Sequence, residues 1–422
     1  MPDLVAILAE PNRRRLLELL SAGEQPVSRL AGQFGVTRSA ISQHLGVLAN
    51  AGLVEARQDG RFRYYRLNPD GMAALREALD VFWTQELEQL AAARPPKGGS
   101  GMTAEKSVLV PLSPDETFAL LTEPERLRRW QAITARVELR AGGEYRWTIV
   151  PGHTAAGTIT EIEPGKRIVY TWGWEGTEDL PPGASTVTIT LEPAEGGTNV
   201  RLVHSGLTAE QAASHLEGWN HYAARLAVAA ERGDAGADDW AGGEPNDPLT
   251  AAEASLAACQ LVLRGLGPDD GSAQTPCVKF NVNQVVEHLL GSIRSLGGAG
   301  GATVPVTGGD AEVRVADAAQ VALEAWRKRG LDGTVKLRDT ELPAQMAANI
   351  LAIELLVHAW DVARATNQTV TVSDALSGYV LERARTVIAP RMRDGDKFGP
   401  ELEAGPDADN LARLVAFTGR ET

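Results

Sequence analysis

The sequence predicts a multidomain α+β protein, and three observations carry that prediction. The chain is 422 residues long, beyond the size that one hydrophobic core ordinarily serves. Two stretches rich in Gly, Pro and Asp, 94–101 and 233–245, punctuate it like linkers. The hydrophobic pattern also changes along the chain, from short helical stripes to alternating strands to long helical stripes. These cuts give segments of about 95, 130 and 180 residues, each near an ordinary domain size. Their bounds are 1–95, 102–231 and 246–422.

Hydrophobic residues make up 43% and charged residues 23%, which excludes a wholly disordered or collagen-like chain. No window approaches eighteen consecutive apolar residues, so no membrane span is expected. Met1–Leu4 has no basic flank leading into an apolar run and does not read as a secretory signal. Two cysteines, Cys259 and Cys277, form no CxxC pair, which points to a reducing cytoplasm. The net charge is −14, yet residues 1–95 are neutral, with eleven basic and eleven acidic groups. Within 29–66, six arginines face only Glu55 and Asp59, a basic patch that the whole-chain charge conceals.

In the first segment, Pro11–Leu20 carries a leucine stripe, Val27–Phe34 reads as a short helix, Gly35 turns the chain, and Thr37–Asn50 reads as a third helix. Gly52 stops that helix. Leu53–Gln58 and Arg61–Leu67 flank Asp59-Gly60 as a tight hairpin, and a last helix runs from about Asp70 to Ala93 with Phe82 and Trp83. Helix, turn, helix and basic hairpin is the order of a winged helix-turn-helix. In the third helix Ala40, Ile41, Leu45 and Leu48 face inward, leaving Thr37, Arg38, Ser39, Ser42 and Gln43 for the edges of bases in a major groove. Arg61 and Arg63 alternate with Phe62 on the hairpin, where they can reach phosphates or a minor groove.

The run Ala40–Val54, with Gly60-Arg-Phe-Arg-Tyr-Tyr-Arg-Leu67, closely resembles the ArsR-type winged-helix repressors over essentially all of 1–95. That resemblance implies a homodimer on a pseudo-palindromic, double-stranded operator. Founding members hold a cysteine-rich metal site before the recognition helix. Gln25–Leu30 has neither Cys nor His there, so the signal is expected to enter elsewhere.

The middle segment opens with a strand near Ser107–Val110. Ser113-Pro-Asp-Glu116 is a capping box with proline at the first helical position. Six strand-like runs follow: 135–139, 144–149, 157–162, 167–173, 185–192 and 199–204. A long helix, 209–230, then closes an α+β layout. Five of the nine tryptophans lie here, and an aromatic sheet held against a long helix can enclose an apolar cavity. Trp130, Trp147, Trp172 and Trp219 are its candidate walls, for a small molecule of unknown identity. Ser113–Trp130 is similar to the SRPBCC (START-like, helix-grip) superfamily, in the subgroup related to activators of the Hsp90 ATPase. No nucleophile–base spacing stands out, and His153, His204, His215 and His221 read as surface or core histidines.

The third segment reads as an antiparallel helix bundle, with helices at 251–266, 281–296, 317–328, 345–366 and 373–388. Glu354 and His358 lie one turn apart on one helical face, and His288 sits on a separate helix. Three such ligands leave open positions on a divalent ion, with zinc the expected one. Asp361 is placed to orient an imidazole. Thr275-Pro-Cys277, the helix through His288, Glu354–Gln368 and the ending 398–420 resemble the metal-binding DinB-like bundles related to mycothiol-dependent maleylpyruvate isomerase. The family's ligands fall on His288, Glu354 and His358. Phe280-Asn281 stands where many relatives have Trp-Asp.

The expected function is therefore a cytoplasmic, dimeric transcriptional regulator, an ArsR-type repressor whose fused ligand-binding and metal-binding domains modulate its operator affinity. The alternative is a metal-dependent transferase or isomerase using a low-molecular-weight thiol, with an autoregulatory DNA-binding domain.

Overall fold

The structure, a computed structural model, describes residues 11–21, 23–34, 38–59, 62–76, 101–243, 245–277, 279–393 and 398–421. It divides into two compact units, Met1–Gly98 and Gly99–Thr422.

In the first unit, α1 (Pro11–Ser21), β1 (Gln25–Pro26), α2 (Val27–Ala31), α3 (Arg38–Asn50), β2 (Val54–Asp59) and β3 (Phe62–Leu67) follow in order. The expected second helix ends three residues early, at Ala31, and Gln33 and Phe34 continue it only as turns. Strand β1 was not foreseen: two residues are too few to show alternation, and their pairing with Tyr64 and Tyr65 makes β3 the centre of a three-stranded sheet. Leu16, Leu30, Ile41, Leu45, Leu48 and Leu53 are fully buried and form the core. Ala40 is only half-buried, so it edges the core instead of filling it. Residues 69–76 are helical, and the rest of the expected last helix, with Phe82 and Trp83, lies outside the described residues.

The second unit starts with β4 (Met102–Val110), α4 (Pro114–Thr122) and α5 (Pro124–Leu127). The expected capping box forms: Ser113 Oγ accepts from Glu116 N, and Ser113 N donates to Glu116 Oε2. Next come β5 (Thr134–Val137), β6 (Glu144–Val150), β7 (His153–Glu163), β8 (Arg167–Trp172), β9 (Ser185–Ala194), β10 (Gly197–Leu207) and α6 (Ala209–Arg232). All pairs are antiparallel, and the seven strands run β4-β10-β9-β8-β7-β6-β5. Strand β9 alternates strictly, turning Ser185, Val187, Ile189 and Leu191 inward. Helix α6 has its own capping box from Thr208 and Gln211, and it buries Trp219, Tyr222 and Leu226.

Residues 234–242, inside the expected linker, are not loose. Ala235 N donates to Arg129 O, and Arg225 donates to the carbonyls of Gly236 and Ala237. Asp238 caps a 3-10 turn, Asp239–Gly242, and Trp240 stacks on His221 at 4.1 Å. Backbone carbonyls held by a distant arginine leave no signature in local composition.

Beyond this strap lie α7 (Pro248–Arg264), α8 (Val282–Ala299), α9 (Ala311–Arg329), β11 (Thr334–Leu337), β12 (Thr340–Pro343), α10 (Ala344–Ala365), α11 (Asp374–Val387) and α12 (Asn410–Phe417). Helix α10 packs on α7, α8, α11 and α12. It is long and apolar enough to cross a membrane by length and composition, but 78% of its apolar window is buried inside the protein. The β11–β12 hairpin and α12 were not foreseen. A buried ion cluster ties these helices to the end of α5. Arg128 donates to both oxygens of Glu312 at 3.0 and 3.1 Å, while Arg264 bridges Glu312 and Asp234.

Candidate functional sites

In the first unit, buried Ile41, Leu45 and Leu48 fix which face of α3 is free, and Ser42 and Gln43 lie exposed on it. Thr37 and Arg61 lie outside the described residues, as do Gly35 and Gly60 and the side chains of Arg38, Ser39 and Phe62. Arg63 is exposed on β3, with its guanidinium 5.5 Å from the centre of the buried Tyr65 ring. The basic patch is smaller than the arginine count implies. Arg57 pairs with Glu24 at 3.0 Å and Asp59 at 2.9 Å, and Arg66 pairs with Glu55 at 2.6 Å. Glu24 was missed because it lies 33 residues from Arg57 in sequence.

In the second unit, His288, Glu354 and His358 converge, with one ligand atom from each lying within 4.8 Å of the others. Asn281 starts α8 with a capping box, and Phe280 stacks on the His288 ring with centroids 5.2 Å apart. Glu354 Oε2 is 3.3 Å from His288 Nε2 and 3.7 Å from His358 Nε2. Two donors each about 2.1 Å from a tetrahedral ion would be roughly 3.4 Å apart. Asp361 is fully buried and accepts at 2.9 Å from His358 Nδ1, which leaves the Nε2 lone pair towards Glu354. Arg420, a partner the sequence reading did not assign, grips Asp361 with two bonds of 2.7 Å.

Burial pushes the Glu354 carboxyl up, but the two imidazoles outweigh it and hold it down at about 2. The carboxylate in turn raises the proton affinity of His288. Glu354 Oε2 nevertheless is buried without a well-formed hydrogen bond. Two imidazole nitrogens converging on one carboxylate oxygen are held there by a proton shared with His288 or by a cation between the three groups. This donor set fits a borderline divalent ion.

The four candidate cavity tryptophans are all buried, but they do not line one cavity. Trp172 and Trp219 line a cavity of about 250 Å³ together with Trp174, His215, Tyr222 and Trp240. Trp130 and Trp147 line a second void, of about 30 Å³, which Trp219 also borders and which holds little more than a water. Those two rings are core, with Trp130 Nε1 donating to Leu120 O. Behind the larger cavity, Trp219 Nε1 donates to His204 Nδ1, and His204 Nε2 meets Ser185 Oγ at 2.8 Å. Trp174 Nε1 donates to His215 Nε2, whose Nδ1 lies 2.8 Å from Gln211 O. Burial, reinforced by His215, pushes His204 down to about 3.

A helix-turn-helix with a hairpin wing, in one chain with a seven-stranded sheet held by a long helix, defines a DNA-binding regulator with an appended α+β domain. Residues 10–56 match the arsR family of bacterial regulatory proteins, and residues 111–231 match the Activator of Hsp90 ATPase homolog 1-like proteins. An HTH-type transcriptional regulator of Mycobacterium tuberculosis is 49% identical over 80 residues, 19% of this chain and 75% of that protein. An uncharacterized protein of the same species is 30% identical over 178 residues, 41% of this chain and 98% of that protein. The solution structure of an AHSA1-like protein from Rhizobium etli is 39% identical and covers 35% of this chain and 92% of that one, with a TM-score of 0.29. The chain belongs to the arsR family of regulators through its N-terminal unit, and it continues into an AHSA1-like domain.

Proposed function

We propose that this protein is an operator-binding repressor whose affinity for DNA is set by a small molecule in its AHSA1-like domain and by a metal ion in its C-terminal helices. The observation that carries the reading is the arsR match over the helix whose outer face presents Ser42 and Gln43 above a fully buried Ile41, Leu45 and Leu48. In this reading Thr37, Arg38, Ser39, Ser42 and Gln43 meet base edges, while Arg61 and Arg63 meet the backbone. The repressor acts as a homodimer on a two-fold site. The bounds are 1–95 for the winged helix, 102–231 for the AHSA1-like domain and 246–422 for a DinB-like helical domain.

His288, Glu354 and His358 would hold the ion, zinc being the first choice for two imidazoles and a carboxylate. When bound, it supplies a Lewis acid with open positions. Asp361, itself held by Arg420, fixes the His358 tautomer and keeps the ring pointed at the site. Those open positions favour a second reading, a thiol-dependent transferase or isomerase with an autoregulatory winged helix.

The test is a gel-shift titration against the protein's own promoter, with and without bound metal, beside metal analysis of the purified chain. Sequence-selective binding that changes with metal supports the regulator. No preference for that promoter over random DNA, with thiol-dependent turnover lost in His288→Ala, would establish the enzyme.

A further inference from the structure

The outer face of α3 has a narrow chemistry. Ile41, Leu45 and Leu48 are fully buried, and away from them Ser42, Gln43, Val47 and Asn50 are exposed. From Ser39 to Asn50 the helix carries no Asp, Glu, Lys or Arg. Beyond Arg38, therefore, it has no cation for the bidentate grip on guanine and no carboxylate to accept from the amino group of cytosine. What remains suits the other base pair. A glutamine amide accepts from adenine N6 and donates to N7, and an apolar side chain packs on the C5-methyl of thymine.

Val47 is that apolar side chain. It is 38% exposed, while the other large hydrophobic residues described in the first unit are buried or half-buried. Single exposed hydrophobic residues are ordinary on protein surfaces, so position decides the matter here. Val47 stands one turn beyond Gln43, with about 6 Å of rise between them, the length of about two base pairs. A β-branched valine is nearly fixed at χ1 in a helix, so its methyls surrender little freedom on contact.

Gly46 clears the ground beside both. Glycine weakens a helix interior, and a Cβ built at Gly46 meets no other group within 4 Å, so packing inside the protein does not ask for it. Without a side chain at 46, nothing stands next to Gln43 and Val47 to hold a base edge away.

Resting on the reading of α3 as the helix that enters the groove, we propose that Val47 reads a pyrimidine C5-methyl group beside an adenine held by Gln43. In unmodified DNA that methyl is thymine's, so each operator half-site is centred on A·T pairs, with G·C pairs read only at the edge facing Arg38.

Selection from a randomised duplex library by the full-length protein is the first test. The expected half-site holds an adenine and a thymine within about two base pairs of each other. A half-site fixed by adjacent G·C pairs at its centre overturns the proposal. A pool with no enriched sequence overturns the recognition-helix reading itself.

Anisotropy titration of the selected duplex then isolates the methyl. Deoxyuridine in place of that thymine removes the methyl alone, and it should weaken native binding about fourfold per half-site, or about 0.8 kcal/mol. At the same position 5-methylcytosine should bind better than cytosine by the same factor, which assigns the effect to the methyl and not to thymine O4. Val47→Ala should bind the thymine and deoxyuridine duplexes equally and keep the native salt slope. Gln43→Ala should lose the preference for adenine and keep the thymine-to-deoxyuridine ratio. Native protein that ignores the methyl at every position, 5-methylcytosine no better than cytosine, or an undiminished ratio in Val47→Ala overturns the contact.

Discussion

Replacing Glu312 with glutamine probes the ion cluster that fastens the C-terminal helices to the end of α5. Arg128 and Glu312 are each 1% exposed in their side chains, and Arg264 is 8% exposed. Glu312 meets both guanidinium groups, with two bonds from Arg128 and one from Arg264. The amide of Glu312→Gln would keep the shape but leave the two buried cations with Asp317 at 3.6 Å from Arg128 and Asp234 at 3.0 Å from Arg264. Removing one partner of a buried pair costs roughly 3–5 kcal/mol, because the remaining charge stays uncompensated. The double replacement Arg128→Met/Glu312→Leu should cost far less, within about 2 kcal/mol of the native protein, since Arg128 and Glu312 lose their charges together. Urea unfolding of the full chain at pH 7 measures both. Burial pushes the Glu312 carboxyl up, but Arg128 and then Arg264 outweigh it and leave it below the usual value. The cluster's contribution is thus complete above the unfolded-state value near 4.5 and falls away as pH drops through the lower folded-state value. A loss under about 1 kcal/mol for Glu312→Gln, or a Glu312→Gln protein as acid-sensitive as the native one, would refute the argument.

Ser42→Ala with Gln43→Ala should lower preference for the operator over random DNA tenfold or more, whereas Arg63→Ala should weaken both and reduce the salt slope by about one; a shift assay at three salt concentrations separates them. Glu354→Ala or His288→Ala should bring metal in the purified protein below about a tenth of the native content, and full occupancy in either would remove the cluster from consideration. Asp361→Asn should weaken metal binding roughly tenfold to hundredfold without changing the ligands, as read by competition with a chromogenic chelator. Unchanged affinity would mean that Arg420 and Asp361 serve packing alone.

Elements whose reasons are local were legible in the sequence. The capping box at Ser113 needs only residues three apart, and the alternation of 185–191 needs only its own pleat. The β11–β12 hairpin carries neither signal. Its turn is Arg338-Asp339, without the glycine that usually marks a tight hairpin, and Arg338 takes φ 55° although it is not glycine. Helix α12 is eight residues long and follows a run of Gly, Pro and Asp, so it reads as an extension of a loop. What holds it is Asp374 of α11, whose carboxylate accepts from Asn410 N and Nδ2, 36 residues away in sequence.

The same distinction sorts the functional residues. Glu354 and His358 could be read because an i,i+4 pair shares a helix face whatever the tertiary fold. Arg420 could not, since its partner Asp361 lies 59 residues earlier and its charge looks like any other near a C-terminal helix. Five tryptophans announced an aromatic interior, but which rings enclose space depends on how α6 crosses the sheet. That crossing leaves Trp130 and Trp147 in the packed core and opens a cavity at Trp172, Trp219 and Gly218. The strap shows the point most clearly. Its Gly, Ala and Asp composition describes a chain with few side chains to bury, and this is true of a linker. It is equally true of a segment that binds through its carbonyls and one indole, and Arg225 and His221 on α6 determine that it is the second kind.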